Sequence, residues 1–338
     1  MGLINKVIAL LTAFITLISG FLGFGPDNGG DTEPEKFRVT TYIRGELGQY
    51  PENIHAEDFD IITDVIVFEC ASFDNKGNVI VEKEMLEKVL ANLRAAIGDR
   101  DVHITLNLLG PRGQTDSTDW YEQMDVLSKE HNKAFRRPRF IKNIIAVLDE
   151  YDFDGVHFDY EYPLSKTAWF YYNKFLVALD KKLGDYTLGV AASTWNINYT
   201  KQAIKAVDTF EIMTYDFLDA EGRHATYEGM VGQVEALELP REKVNVGLPF
   251  YARPSDLSAY WYEYQSCYDK LDENGWYHCP NINKDFWFNT PDVIEAKTDY
   301  AINNGFGGVM VWHYSCDLPS SHEASLTRAM GVAVKNNF

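Results

Sequence analysis

Residues Asp152–Pro163 read DFDGVHFDYEYP, and this stretch decides how the rest of the chain is assembled. Gly155 admits a strand, and side chains along a strand alternate between its two faces. Val156 and Phe158 therefore point one way, while His157, Asp159 and Glu161 point the other. The first face is apolar enough to pack under a helix. The second aims an imidazole and two carboxyls toward the strand's C-terminal end. Burying two acids together costs several kcal/mol unless they find partners or one keeps a proton. A neighbouring negative charge or loss of solvent raises a carboxyl pKa, which is how an enzyme retains a general acid at neutral pH. A lone Asp-x-Glu reads more simply as a solvated strand end. The surrounding sequence argues against that here.

Outward from this segment, short apolar runs alternate with longer amphipathic ones from about Phe37 onward. Strands are predicted at Arg38–Ile43, Asp64–Cys70, His103–Leu108, Gly155–Asp159, Thr187–Ala192, Thr209–Tyr215, Lys243–Leu248 and Gly308–Trp312. Helices are predicted at Lys83–Ala96, Phe140–Glu150, Trp169–Leu183, Ala225–Leu237 and Pro291–Asn303, where apolar residues recur at three- and four-residue spacing. Such alternation gives parallel strands joined by crossover helices. Eight units over roughly 300 residues fit an α/β fold with a single closed (β/α)8 TIM barrel. No Gly-x-Gly-x-x-Gly follows the first strand, which argues against an open nucleotide-binding sheet. Two long connections, Gly110–Arg136 after the third strand and Tyr251–Asn289 after the seventh, are expected as loops walling a cleft on the catalytic face. The acidic face of the fourth strand would open into that cleft.

Four segments in the same order carry a family resemblance. Asp154, Gly155, Asp159 and Glu161 match the Asp-Gly-x-Asp-x-Asp-x-Glu pattern of glycoside hydrolase family 18, the chitinase family, and Tyr160 and Tyr162–Pro163 suit the positions around the Glu. Met213-Thr214-Tyr215-Asp216 resembles the family's Met-x-Tyr-Asp after strand six. Gly247-Leu248-Pro249-Phe250-Tyr251-Ala252-Arg253 resembles its Gly-Leu-Pro-Phe-Tyr-Gly-Arg. Gly307-Gly308-Val309-Met310-Val311-Trp312 resembles its final strand, ending in the Trp that floors a sugar subsite. The resemblance implies retaining hydrolysis of β-1,4-linked N-acetylglucosamine in which the substrate supplies its own nucleophile, an exception to the two-carboxylate scheme. Glu161 would protonate the leaving oxygen, and Asp159 would orient the 2-acetamido group and stabilise the charge developing on it. Tyr215 would hold the acetamido oxygen in line, Asp216 would bind sugar hydroxyls, and Trp312 would lie under the ring. Met213 and Tyr42 would border the same pocket, while Tyr251 and Arg253 would either face the sugar or brace their loop. Trp195, Trp261, Trp276 and Trp287 are candidate stacking platforms in outer subsites. No cofactor or metal is implied.

The pattern breaks at two places. His157 stands where the family has Asp, and a histidine there is expected to hydrogen-bond Asp159 or to stabilise its anion with a positive charge. Asn107-Leu108-Leu109-Gly110 replaces the family's Ser-x-Gly-Gly on strand three.

Composition and termini set the context. A formal net charge of -19 excludes a phosphate-binding surface, so nucleic acid is not a partner. With 20 Tyr and 20 Phe, the flat faces that suit sugar rings are plentiful. Residues 1–24 combine a basic start with an apolar run and read as a signal peptide or a membrane anchor, followed by a flexible linker over 25–36. The catalytic domain, 37–338, is then expected to be secreted and extracellular, or tethered at the cell surface, and monomeric. Cys267 and Cys279 flank a loop-like stretch and are candidates to pair; Cys70 and Cys316 leave other pairings open. No Cys and His spacing suggests zinc, and no chitin-binding module is evident. Rival functions are an endo-β-N-acetylglucosaminidase on N-glycan cores or peptidoglycan-type glycans, favoured by the short connection after strand seven, and a non-hydrolytic lectin on the same barrel. Retention of Glu161 argues for an enzyme.

Overall fold

In the computed structural model, which describes residues 36–258 and 260–338, eight parallel strands close into a barrel. They are β1 (Arg38–Arg44), β2 (Asp64–Phe68), β3 (His103–Leu109), β4 (Gly155–Asp159), β5 (Thr187–Ser193), β6 (Thr209–Met213), β7 (Val244–Pro249) and β8 (Gly308–Trp312). Closure is seen at β1, where Thr41 lies opposite Val65 of β2 on one side and Val311 of β8 on the other. Helices α1 (Lys83–Ile97), α2 (Trp120–Phe135), α3 (Pro138–Tyr151), α4 (Lys166–Leu183), α5 (Lys201–Ala206), α6 (Tyr227–Glu235), α7 (Pro291–Asn303) and α8 (Leu326–Asn337) pack outside. The predicted leader and the linker through residue 35 lie outside the described residues. Among the described residues, no helix is long and apolar enough to cross a membrane.

Strand alternation separates two apolar regions. Val39, Val65, Val156, Phe158 and Ile212 join the large core between barrel and helices. The opposite side chains fill the barrel, where Tyr42, Ile66, Phe68 and Met310 form a separate cluster with Met213, Tyr215 and Trp312 against it. Below that cluster the interior is polar. Glu211 accepts from Asn245 Nδ2 (2.9 Å), which also reaches Thr40 Oγ1 (3.2 Å). Burial pushes the Glu211 carboxyl up to about 7.

The barrel tolerates no side chain at Gly155, where β4 begins beside β5. A Cβ there would sit 2.0 Å from Thr187 Oγ1 and 2.7 Å from the Thr187 carbonyl oxygen. Since the second atom is backbone, the strands themselves would have to part. Gly155→Ala is expected to destabilise the fold by about 1–3 kcal/mol, read as a lower urea midpoint at unchanged slope.

Two expected loops differ. The connection after β3 holds the 16-residue helix α2, started by Asp119 accepting from the Glu122 amide at 3.0 Å. Its buried residues are Ser128, His131 and Ala134, with Leu127 and Phe135 packed against the core beside them. The connection after β7 folds into two small antiparallel pairs, Tyr251–Ala252 with Tyr262–Glu263 and Trp276–Cys279 with Lys284–Trp287. All four cysteines are buried free thiols, so the candidate pairing of Cys267 with Cys279 is not formed.

Candidate active site

Period two along β4 stacks the site in depth. His157 is buried within the barrel, Asp159 ends the strand, and Glu161 lies two residues beyond it, exposed at the mouth. The expectation of a buried Glu161 is therefore corrected: Asp159, still within the strand, is the half-buried carboxyl of the two. Asp159 Oδ1 is enclosed and has no hydrogen-bond partner. Burial, with the adjacent Glu161 carboxylate, pushes the Asp159 carboxyl well above the usual range. Both effects favour the protonated form of Asp159.

Two cavities meet at this pair. One, of about 470 Å³, is lined by Tyr42, Met213, Tyr215, Asp216, Tyr251 and Arg253 among others. The second, of about 610 Å³, extends toward Phe68, Leu109, Gly113 and α2. Asp159, Glu161 and Trp312 line both. Glu161 thus sits mid-cleft, with space on either side.

Around the pair, Trp312 ends β8 and is fixed edge-on by Phe68 (5.0 Å between ring centroids) and Tyr42 (5.2 Å). The Tyr215 hydroxyl is held far above its ordinary pKa by burial and by the carboxylates of Glu161, Asp159 and Asp216, so it remains a donor. Gly247 of β7 lets Tyr215 approach: a Cβ there would lie 3.0 Å from its Cε1.

Asp216, in the left-handed region at φ 62°, gathers the next residues. Its Oδ1 accepts from the Tyr251 hydroxyl and from Arg253 Nε, each at 2.6 Å, and its Oδ2 accepts from Arg253 Nη2 at 2.9 Å. Burial works against the charged form, but hydrogen bonds from His224, Arg253 and Tyr251 hold this carboxyl well below the usual range. Tyr251 and Arg253 both hydrogen-bond Asp216, and both line the cavity.

His157 departs from expectation. Its Nδ1 lies 2.8 Å from Asn107 Oδ1 and its Nε2 lies 3.2 Å from the Tyr42 hydroxyl, so Asp159 is not its partner. Burial pushes the imidazole down to about 3, which leaves it neutral rather than cationic. The two departures from the family pattern, at positions 107 and 157, touch each other.

Of the outer tryptophans, Trp195 and Trp261 line the cavity. Trp276 and Trp287 instead face each other across a hairpin, with the Trp287 indole donating to the Asn274 carbonyl at 2.9 Å. Sequence reasoning missed Trp120, at the start of α2, whose ring lies near Tyr162 and Trp195 (6.4 and 6.5 Å). It also passed over Asn107 and His224 as site residues. Asn107 left a signal, being the one amide within the apolar run His103–Leu109; His224, which approaches Asp216 at 3.3 Å, left none. Among the described residues no His, Cys, Asp and Glu cluster could hold a metal ion.

Comparison with known proteins places this geometry among glycosidases. The sequence profile described as "Glycosyl hydrolases family 18" matches residues 60–317. "Endochitinase 1" of Metarhizium anisopliae is 22% identical over 243 residues, covering 56% of this chain and 57% of that protein. The chain thus spans less than two thirds of that relative's length. A chitinase from the chitin utilization locus of Flavobacterium johnsoniae superposes with a TM-score of 0.68 at 23% identity, over 90% of this chain and 95% of that one. A class V chitinase from Nicotiana tobaccum gives 0.68 at 16% identity, over 90% and 100%. These solved structures bear on the fold.

Proposed function

Because the chain belongs to glycosyl hydrolases family 18, we propose that it hydrolyses β-1,4-linked N-acetylglucosamine chains with retention, using the substrate's own acetamido group as nucleophile. The observation that carries this reading is the division of labour between Asp159 and Glu161, one carboxyl half-buried at the floor of the cleft with one oxygen enclosed, and one exposed at its centre. A carboxyl at the floor is placed to orient a substrate group rather than to reach a bridging oxygen. An exposed neighbour can reach a bridging oxygen.

In the proposed reaction Glu161 protonates the glycosidic oxygen as the acetamido carbonyl oxygen attacks the anomeric carbon and forms an oxazolinium ion. Asp159 accepts the acetamido N–H and stabilises the positive charge, while Tyr215 donates to the carbonyl oxygen and keeps it in line. Glu161 then takes a proton from the water that opens the ring. Trp312 supports the sugar from below, with Tyr42 and Met213 bordering it. Asp216, braced by Tyr251 and Arg253, presents acceptor oxygen to hydroxyls. His157 lies beneath, out of reach of the sugar. Residues 37–338 would act outside the cytoplasm, behind the leader at 1–24 and the linker at 25–36.

Space on both sides of Glu161 supports cleavage within a chain rather than at its end, and the relatives' names favour chitin-type chains. Mass spectrometry of early digests of chitohexaose tests this. Products of several lengths are expected at once. Release of one product length from a single end would contradict the endo mode, and an intact hexamer the activity itself.

A further inference from the structure

Asn107 sits in the barrel interior, where its Oδ1 meets His157 but its Nδ2 has no partner. An unpartnered buried donor costs stability, a cost set against the acceptor that Asn107 gives to His157. What Asn107 supplies is one acceptor at one place.

The geometry points to Asn107 as a positioning residue that locks His157 in a single neutral tautomer and, through it, orients the Tyr42 hydroxyl. This rests on the proposed glycosidase reading for its consequence, but not for the hydrogen bonds themselves. An amide oxygen only accepts, so the Nδ1 atom 2.8 Å from it must carry the imidazole proton. Nε2 is then left with a lone pair, and the Tyr42 hydroxyl 3.2 Å away must donate to it. The Tyr42 proton is thereby turned down into the barrel, and its oxygen lone pairs face the cleft beside Asp159 and Trp312.

The groups around His157 fit a neutral ring. Tyr42 faces it from β1 and Asn107 from β3, while Gly189 of β5 leaves it room, a Cβ there falling 2.9 Å from its Cδ2. Asp159 follows it on β4, with Glu161 beyond; Glu211 and Tyr215 face Tyr42 from the β6 side. None of these carboxylates hydrogen-bonds the ring. The imidazole therefore does not compete with Glu161 for Asp159.

Nitrogen-15 NMR of the intact chain, with the His157 signals assigned by a His157→Gln variant, reads the tautomer without turnover. A neutral Nδ1–H form unchanged from pH 5 to 8 is expected. An Nε2–H form, or titration in that range, would overturn the assignment. Asn107→Asp places an anion against Nδ1 and is expected to raise the His157 pKa by about 1–3 units or more, adding an ionisation to the pH profile of kcat/KM. Asn107→Leu, which removes the acceptor, is expected to mix the two tautomers and lower kcat about tenfold or more with little change in KM. If both variants fold and lose activity equally with no change in tautomer or pH profile, Asn107 only packs, and the proposal fails. Absence of hydrolysis in the wild type would sink the proposed function, while the spectrum would still decide the hydrogen bonds.

Discussion

Glu161→Gln is expected to lower kcat on a 4-methylumbelliferyl chito-oligosaccharide by about 10²–10⁴-fold, the range set by loss of a positioned general acid. Gln keeps the shape of Glu and removes only the transferable proton. The side chain stands exposed in the cleft, so the fold does not depend on its charge. KM should move little, since the amide still occupies the same place between the two cavities. An unchanged kcat would leave a sugar-binding protein without turnover of its own, or a different proton donor. Thermal melts of the two proteins, expected to coincide, separate that outcome from misfolding.

A still larger loss is expected when the change is made in the substrate. A cello-oligosaccharide glycoside with the same linkage and leaving group, but a 2-hydroxyl in place of the acetamide, should be cleaved about 10⁵-fold or more slowly. An internal nucleophile held in line has an effective molarity of about 10⁵–10⁸ M, and this substrate forfeits it. Trp312 still offers its face to the glucose ring, so binding persists while the chemistry stops. Comparable rates on the two substrates would mean that a protein carboxylate attacks the sugar. Asp159, half-buried at the cleft floor with Oδ1 out of solvent, lies deeper than Glu161 and is assigned to the acetamido group instead.

How much of this was legible in the sequence depended on what each residue faces. The barrel strands were read within about two residues at nearly every end, because each is a short apolar run flanked by turn residues. Helix α2 was passed over although Leu127, Ala134 and Phe135 recur at helical spacing and pack on the core. Between them it packs through Ser128 and His131: the Tyr160 hydroxyl donates to Ser128 at 2.9 Å, and His131 lies over its ring at 4.1 Å. These two polar positions interrupt the apolar period. At the site, Asp159 and Glu161 stood out from strand alternation, Tyr215 and Trp312 from the family resemblance, and all four line one cavity. The role of His157 was misjudged because its partner, Asn107, lies 50 residues away and becomes a neighbour only when β3 and β4 pair. Trp276 and Trp287 looked like sugar platforms for the same reason: their placement opposite each other in a hairpin is a matter of register.

Charge explains why the site is not simply an acidic hole. With a net charge of -19 the surface repels anions, yet the carboxyls at the cleft behave in opposite ways. Asp216 is kept ionised by its hydrogen-bonding neighbours against the effect of burial, whereas Asp159, buried and beside Glu161, is pushed toward its neutral form. Such environments let one carboxyl stay charged while another keeps a proton beside Glu161, the proposed donor. As pH rises through the raised pKa of Asp159, that proton is lost from the site, so turnover is expected to fall on the alkaline side.

Proton NMR of the first product, recorded before mutarotation, tests the acetamido pathway most directly. Attack by the acetamido oxygen followed by water inverts the anomeric carbon twice, so the new reducing end should appear as the β anomer. An initial α anomer would mean a single displacement by water, and the roles given to Asp159 and Tyr215 would be wrong.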